Sequence, residues 1–332
     1  MCSRFRLLIA AIVSGGCVAA VAVETLAAQT YPTRPVHMVI GYAAGGPTDV
    51  LGRIVAQKLG EILGEPFVVE NRPGAGGIIG AAAVAKAAAD GYTLFFETVP
   101  SFTVNANVYK SLPYDARKDF TPIGPVASGA VVLWVNTSLP ARNLNELIAL
   151  AKSNPGELSF GSAGRGQYPT DIGPRLFVLK NGLDILRVPY KGAAPAMIDV
   201  AAGRISFVMT AGLAAAQPYL SAGKVRALAV TGDKRAAWLP NVPTFAEAGS
   251  PLPEMTIGGW FGLWGPAGLP RNIVVKLNQS IAKAMTAPDI FARLAVFGLE
   301  PMTANPEAFS NSVNTEIETW GPVLQRMNIT PE

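Results

Sequence analysis

Cysteine is nearly absent from this chain. Cys2 and Cys17 are the only two in 332 residues, and both fall in an N-terminal stretch that reads as a removable leader. Beyond the leader the chain has no thiol, which excludes disulfides, thiol catalysis and cysteine metal sites. A chain of this length buries enough core to fold without a disulfide, even in an oxidising compartment. Histidine is as scarce, with His37 alone. It stands in Arg34-Pro-Val-His-Met-Val-Ile40, where strand alternation sets it opposite Val36 and Met38 and turns it to solvent. With one His and no Cys the usual zinc constellations cannot be assembled, and a Ser-His-Asp triad has only His37 to draw on. Neither a metal nor a cofactor is expected.

Charge is also thin. Charged residues make up 15% of the chain, the net charge is +4, and no run of Lys or Arg occurs, which is too diffuse for a nucleic-acid partner. Half the residues are hydrophobic, with 34 Gly and 27 Pro, the composition of a globular protein of a length that suggests two domains.

The leader is ordered as a secretory signal peptide over residues 1–28. Arg4 and Arg6 precede the apolar run Leu7 to Val23, and Thr25-Leu-Ala-Ala28 offers cleavage after Ala27 or Ala28. Two other readings compete. An uncleaved anchor is opposed by Ser14, Gly15 and Gly16 and by a run short of the roughly 20 residues of a spanning helix. Lipid attachment at Cys17 is opposed by Ser14, where an aliphatic residue would be wanted. No later segment is long and apolar enough to cross a membrane.

Periodicity then orders the chain. Val36 to Tyr42 reads as a strand, Asp49 to Leu63 as a helix, Phe67 to Glu70 as a strand, Ile78 to Ala88 as a helix and Tyr92 to Phe96 as a strand. Such alternation with short links predicts a parallel sheet with helices on its faces. It restarts with strands at Ala130 to Val135, Leu158 to Phe160, Ile185 to Val188, Ile205 to Val208 and Val225 to Val230. Helices near 144–152, 173–179, 194–202 and 214–221 lie between them. An apolar segment, Met255 to Gly265, and helices at Ile273 to Met285, Asp289 to Phe297 and Glu307 to Arg326 close the chain and are expected to pack on the first lobe. The expected fold is α/β, two doubly wound domains joined by a hinge of two crossings near Ala130 and Gly259. Residues 29–129 and 255–332 form a discontinuous first domain, and 130–254 the second.

Two glycine-rich turns carry the chemistry. In Gly41-Tyr-Ala-Ala-Gly-Gly-Pro-Thr-Asp49 a strand runs through a glycine pair into a helix. Glycine lets the backbone approach a ligand, and a helix start presents N–H groups without intrahelical acceptors. The helix dipole adds about half a positive charge there, which suits a carboxylate without a basic side chain. Thr48 or Asp49 is expected as N-cap, with Pro47 near the first turn; a plain strand-to-helix turn is the competing reading. The candidate contacts are Tyr42, Ala44, Gly45, Gly46, Pro47, Thr48 and Asp49. The second turn, Gly161-Ser-Ala-Gly-Arg-Gly166, stands after a strand of the other lobe and adds Ser162, Ala163 and Gly164. Each charge-assisted bond contributes about 1.5–3 kcal/mol, so several reach the roughly 8 kcal/mol of micromolar binding. Gly74-Ala-Gly-Gly-Ile-Ile-Gly80 is spaced G-x-G-x-x-x-G and comes after the second strand, so it reads as turn geometry and close helix packing rather than a dinucleotide site.

These segments, together with Tyr31-Pro-Thr-Arg-Pro35, Val69-Glu-Asn-Arg-Pro73, Ala89-Asp-Gly-Tyr-Thr-Leu94, Leu112-Pro-Tyr-Asp115, Val188-Pro-Tyr-Lys-Gly192 and Val242-Pro-Thr-Phe-Ala-Glu-Ala-Gly249, stand in an order that resembles the extracytoplasmic solute receptors of the tripartite tricarboxylate transporter system, the Bug family. The resemblance implies a two-lobed periplasmic-binding-protein fold, type II-like, whose cleft closes on a small organic carboxylate. A di-, tri- or aromatic carboxylate would be delivered to integral-membrane transporter subunits by a monomeric periplasmic receptor.

The chain departs from the family after Gly164, where a Thr or Ser and then a His are common. Here Arg165-Gly-Gln-Tyr-Pro-Thr-Asp171 stands instead. Arg165 is placed either to pair with a ligand carboxylate or in solvent, and Tyr168 either to stack on the ligand or to pack locally; Thr170 and Asp171 complete the candidates. Met209-Thr-Ala-Gly212 lacks a frequent Asp and leaves Thr210. Strand ends add Ser101, Thr103 and Tyr190. A ligand-sensing subunit for a membrane signalling partner fits the same closure. A periplasmic α/β enzyme is opposed by the missing thiol, the isolated His37 and the lack of a G-x-S-x-G elbow.

Overall fold

The computed structural model describes residues 31–42, 44–45, 47–164, 166–190, 192–255 and 258–329, without the side chains of Pro100 and Ser101. The expected leader, 1–28, lies outside them.

The chain begins with β1 (Val36–Ile40), α1 (Pro47–Leu63), β2 (Phe67–Asn71), α2 (Ile78–Ala85), β3 (Thr93–Thr98), α3 (Val99–Val108) and β4 (Phe120–Gly129). It continues with β5 (Val131–Asn136), α4 (Leu144–Ser153), β6 (Ser159–Ser162), α5 (Ile172–Asn181), β7 (Leu186–Pro189), α6 (Ala193–Ala201), β8 (Phe207–Ala211), α7 (Gln217–Ser221) and β9 (Val225–Val230). It returns through β10 (Gly259–Pro266), α8 (Arg271–Met285), α9 (Pro288–Val296), β11 (Glu300–Pro301) and α10 (Pro306–Arg326). The strands form one sheet of order β11-β4-β10-β3-β1-β2 and another of order β7-β6-β8-β5-β9. The result is a two-lobed α/β fold. The chain passes between sheets at Ala130 and returns between β9 and β10.

Strand β1 shows how the layers arise. Val36, Met38 and Ile40 pack under α1, and Val39 packs on the other face with α2, so the strand is apolar on both sides as a covered parallel strand must be. His37 interrupts this row, is partly exposed, and meets Glu70 on β2 through Nδ1. Helix α1 buries Leu51, Ile54, Val55 and Leu59 at helical spacing and stops at Gly64, whose φ of 82° is left-handed.

Both sheets are mixed rather than wholly parallel. Strands β2, β1 and β3 run parallel, as do β7, β6 and β8. β10 is antiparallel to β3 and β4, and β5 to β8 and β9. The crossings cause this, because a strand that leaves one lobe or re-enters it runs against its neighbours. Strand β4 escaped the sequence reading because Pro122 and Pro125 argue against a strand. The sheet accommodates them by register shifts between Phe261 and Gly262 and between Leu263 and Trp264 of β10, the bulges where proline is tolerated.

Helices α8 and α9 pack on the first sheet through Ile273, Val274, Leu277, Ile281, Ile290 and Leu294. Helix α10 does not stay with that lobe. Phe309, Val313 and Ile317 pack on the six-stranded sheet, whereas Trp320, Val323, Leu324 and Met327 join the core of the five-stranded lobe. A 21-residue helix is long enough, at roughly 1.5 Å per residue, to span both.

Candidate functional site

The turn after β1 is built around one carboxylate. Helix α1 starts at Pro47, so Thr48 and Asp49 are its second and third residues rather than its cap, which corrects the expectation. Asp49 is buried and reaches back to accept from Gly45 N at 2.8 Å, in the manner of the acid of a capping box. Arg53 Nε at 3.0 Å and Asn71 Nδ2 at 2.9 Å complete its shell. Burial alone would raise this carboxyl, but the Arg53, Gly45 and Asn71 bonds outweigh burial and hold it below the ordinary carboxylate range. The Asn71 amide also donates to Tyr42 O at 3.0 Å, tying the start of the turn to its end. Ala44, Gly45 and Pro47 are exposed, Tyr42 is half-buried and Thr48 is buried; Gly46 lies outside the described residues.

Asp49 thus braces the turn and leaves the helix start to face outward. The first-turn N–H groups of α1 have no intrahelical acceptor, and the positive end of its dipole lies there. Pro47, Val50 and Leu51 share an apolar crevice with Ala211 and Ala214 of the second lobe and with Phe297 and Leu299, so this helix start faces the junction between lobes. Helix α3 follows β3 directly and α6 follows β7, both without a side-chain cap bond. All three helices begin at carboxyl ends of parallel strands, the usual place for a ligand in open α/β sheets.

The turn after β6 also closes on an aspartate, Asp171, which is fully buried. It accepts from Ser162 Oγ at 2.7 Å, Gly166 N at 2.8 Å and Arg187 Nε at 2.6 Å, and Arg175 Nε lies 3.1 Å away. Thr170 Oγ1 accepts from Ala163 N at 3.1 Å, and Gly164 N points to Ser162 Oγ at 3.3 Å. The first amides of α5 are taken as well, since Asp171 N donates to Gln167 O at 2.8 Å and Gly173 N to Pro169 O at 3.0 Å. The expected amide supply of this turn is therefore corrected: the N–H groups of Ala163, Gly164 and Gly166 are spent within the turn. Arg165 lies outside the described residues.

The far half of the same turn is seated on the first lobe. A Cβ on Gly166 would stand 2.9 Å from Val108 Cγ2, and a side chain on Gly76 would collide with the Gln167 amide. Tyr168 takes the packing alternative. Its ring meets Trp320 edge-on at 5.7 Å, its hydroxyl donates to Gly258 O at 2.8 Å, and 6% of the residue is exposed. It borders a cavity of about 350 Å³ behind the hinge, with Pro253, Met255, Glu316 and Trp320. Ligand stacking by Tyr168 is therefore corrected to packing at the hinge.

The remaining candidates are dispersed. Tyr190 is half-buried and donates to Asp199 Oδ2 at 2.7 Å; burial and that carboxylate push its phenol up to about 12. Thr210 is buried and accepts from Trp134 Nε1 at 3.0 Å. Thr103 is buried and donates to Glu316 Oε2 at 3.0 Å. Ser101 lies in the first turn of α3, its side chain outside the description. Asn71, Arg187, Gln167 and Asn105, which holds Gly76 O at 3.0 Å, were not singled out in the sequence. Asn71 stood in the Val-Glu-Asn-Arg-Pro motif and Gln167 in the stretch after Gly164, and those were the signals that could have found them.

The glycine turn after β2 packs as expected. Gly74, Gly76 and Gly77 all have positive φ, and a Cβ on Gly80 would stand 2.9 Å from Gly41 Cα. This turn touches the first turn through Gly41 and the second through Gln167, and so lies between them.

Two α/β lobes, two crossings and helix starts gathered at the junction define a two-lobed solute-binding protein. A family model described as tripartite tricarboxylate transporter family receptor matches residues 51–329, and the chain belongs to that family. Protein BugT of Bordetella pertussis is 36% identical over 301 residues, covering 90% of this chain and 91% of BugT. The solved structure of Rpa4515 from R. palustris with adipate is similar with a TM-score of 0.84 at 37% identity, covering 91% of this chain and 100% of that one. The periplasmic binding protein BugD gives a TM-score of 0.81 at 34% identity, with 91% and 100% covered. The motif order had pointed to the same family.

Proposed function

We propose that this chain is a periplasmic receptor that binds a small organic carboxylate between its lobes and passes it, unchanged, to the integral-membrane subunits of a tripartite transporter. The observation that carries the reading is the start of α1, whose turn is braced by Asp49 and which shares an apolar crevice with Ala211 and Ala214 of the second lobe, because a helix start carries N–H groups without intrahelical acceptors. Adipate in a relative of 37% identity supports a carboxylate as the ligand class. Residues 1–28 act as the cleaved export signal, and BugD is a periplasmic relative.

The lobe of residues 29–129 and 255–332 and the lobe of 130–254 move against each other about the crossings at Ala130 and Gly259, with α10 bridging their cores. Gly46, Thr48, Ser101 and Arg165 supply contacts, and closure presents the loaded monomer to the membrane partner. Calorimetry on the mature protein with adipate, tricarboxylates and aromatic acids tests this. Binding near or below micromolar, about −8 kcal/mol, with the acid recovered intact is expected. No heat with any of these acids, together with turnover of one, would end the receptor reading.

A further inference from the structure

A small polar niche lies over Gly77. A Cβ built there would stand 3.0 Å from Glu97 Oε2 and 3.9 Å from Tyr42 Oη. One built on Gly41 would meet the same Glu97 oxygen at 2.7 Å. Gly77 has φ 91°, so its backbone and its surroundings both call for glycine. Glu97 is the penultimate residue of β3, at the carboxyl end of the parallel strands, under the turn after β1 and the turn after β2. It is 2% exposed. Oε1 accepts from Thr98 N at 2.7 Å, whereas Oε2 is buried without a hydrogen-bond partner.

Among the described residues nothing cationic compensates this group. Its ladder partner on β10 is Gly262, β1 and the turn after β2 offer the backbone of Gly41 and Gly77, and the titratable neighbours are the phenols of Tyr42 and Tyr114. Among the described residues no Arg, Lys or His forms an ion pair with it. Burial pushes the Glu97 carboxyl well above the carboxylate range, and the Thr98 and Gly41 amides offset only part of that. A buried neutral carboxyl has an O–H to give, and leaving it ungiven is costly.

We infer that Glu97 is the ligand-selecting group of the first lobe: its carboxyl, through the buried and unpartnered Oε2, donates across the niche at Gly77 to an oxygen of the bound acid. The inference rests on the carboxylate-receptor reading and deepens it. The niche reads an acceptor oxygen rather than an ammonium, and ionisation of Glu97 sets like charge against the ligand. Affinity is therefore full while Glu97 holds its proton and falls as pH rises through its folded value.

Calorimetry of wild type, E97Q and E97L with adipate and 2-aminoadipate from pH 5 to pH 9, with melting curves to verify folding, tests it. Wild type should bind adipate more tightly than 2-aminoadipate and weaken at least about tenfold toward pH 9, as a charge-assisted bond is lost. E97Q keeps a donor, so it should match wild type within about threefold at pH 5 and lose the pH dependence; E97L should be about 10- to 100-fold weaker. Wild-type affinity in folded E97L would overturn the inference, as would a wild-type preference for 2-aminoadipate that E97Q removes. If E97L does not fold, an E97Q profile as steep as that of wild type overturns it. A wild type that binds no acid at all defeats the receptor reading and this inference together, which separates the two failures.

Discussion

The turn after β1 and the turn after β6 look alike in composition, and each is braced by a buried aspartate, yet they spend their amides differently. Asp49 takes one amide of its turn, Gly45 N, and leaves the start of α1 to the junction. In the second turn Asp171, Thr170 and Ser162 take the N–H groups of Gly166, Ala163 and Gly164, and Gln167 O takes the amide of Asp171. The difference lies in position. Asp49 is inside its helix and reaches back over a short turn, whereas Asp171 precedes its helix and gathers a longer loop around itself. A glycine-rich turn is a donor site only where its own side chains leave amides over. The first turn is the one proposed to offer hydrogen bonds; the second holds its own shape and seats one lobe on the other.

The sharpest way to break this contrast is D171A. It would leave Arg187 and Arg175 partly buried around an empty site, and loss of one member of a buried charge cluster costs about 3–5 kcal/mol. Urea unfolding should show a loss of that size, with ligand binding lost alongside it. A loss no larger than that of D49A would mean the second turn is not the more self-contained of the two.

A pH comparison is next. Glu316 accepts from Trp260 Nε1 at 2.8 Å and from Thr103, close to Tyr168 at the seat of the second turn, and burial pushes its carboxyl up to about 7. With its folded value above the ordinary 4.5, the folded chain holds the proton more tightly. Its contribution to stability is full below about pH 4.5 and is lost as pH rises toward 7, by on the order of 3 kcal/mol. E316Q should flatten that fall in unfolding midpoints measured between pH 5 and pH 8. Asp49 runs the other way. Its folded value lies below the ordinary 3.8, so its contribution is present above that pH and is lost as pH falls through the folded value.

D49A should cost about 1–3 kcal/mol, the range for a charged hydrogen-bond acceptor, because half-exposed Arg53 can return to water. Its effect on adipate affinity should be proportionally larger than that of any substitution in the second turn that leaves the fold intact. Smallest is Y168F, which removes the bond to Gly258 O and should cost about 1 kcal/mol in unfolding while leaving the adipate dissociation constant within about twofold. A large affinity loss with unchanged stability would return Tyr168 to the ligand.

Much of the fold was legible because hydrophobic periodicity is a local property. The strand at Val225 to Val230 was read with the bounds it has, and the span of α1 differs from its prediction only at the start. Strand β4 was not legible, since Pro122 and Pro125 forbid it until bulges against β10 make room. Asp49 and Asp171 were singled out as ligand contacts, whereas the work they do under the turns depends on Arg53 and Arg175 one helical turn along and on Asn71 and Arg187, which the chain brings from other strands.

By itself the sequence determined the family, the α/β alternation, the lack of any cysteine after Cys17 and the location of the glycine turns. Each of these depends on residue identity and on neighbours a few positions away. The tertiary structure alone decided that the second turn spends its amides on its own side chains, that α10 joins both cores, and that Glu97 Oε2 lies buried without a hydrogen-bond partner beneath Gly41 and Gly77. Whether a polar group is satisfied depends on what the folded chain places against it, and no local pattern contains that.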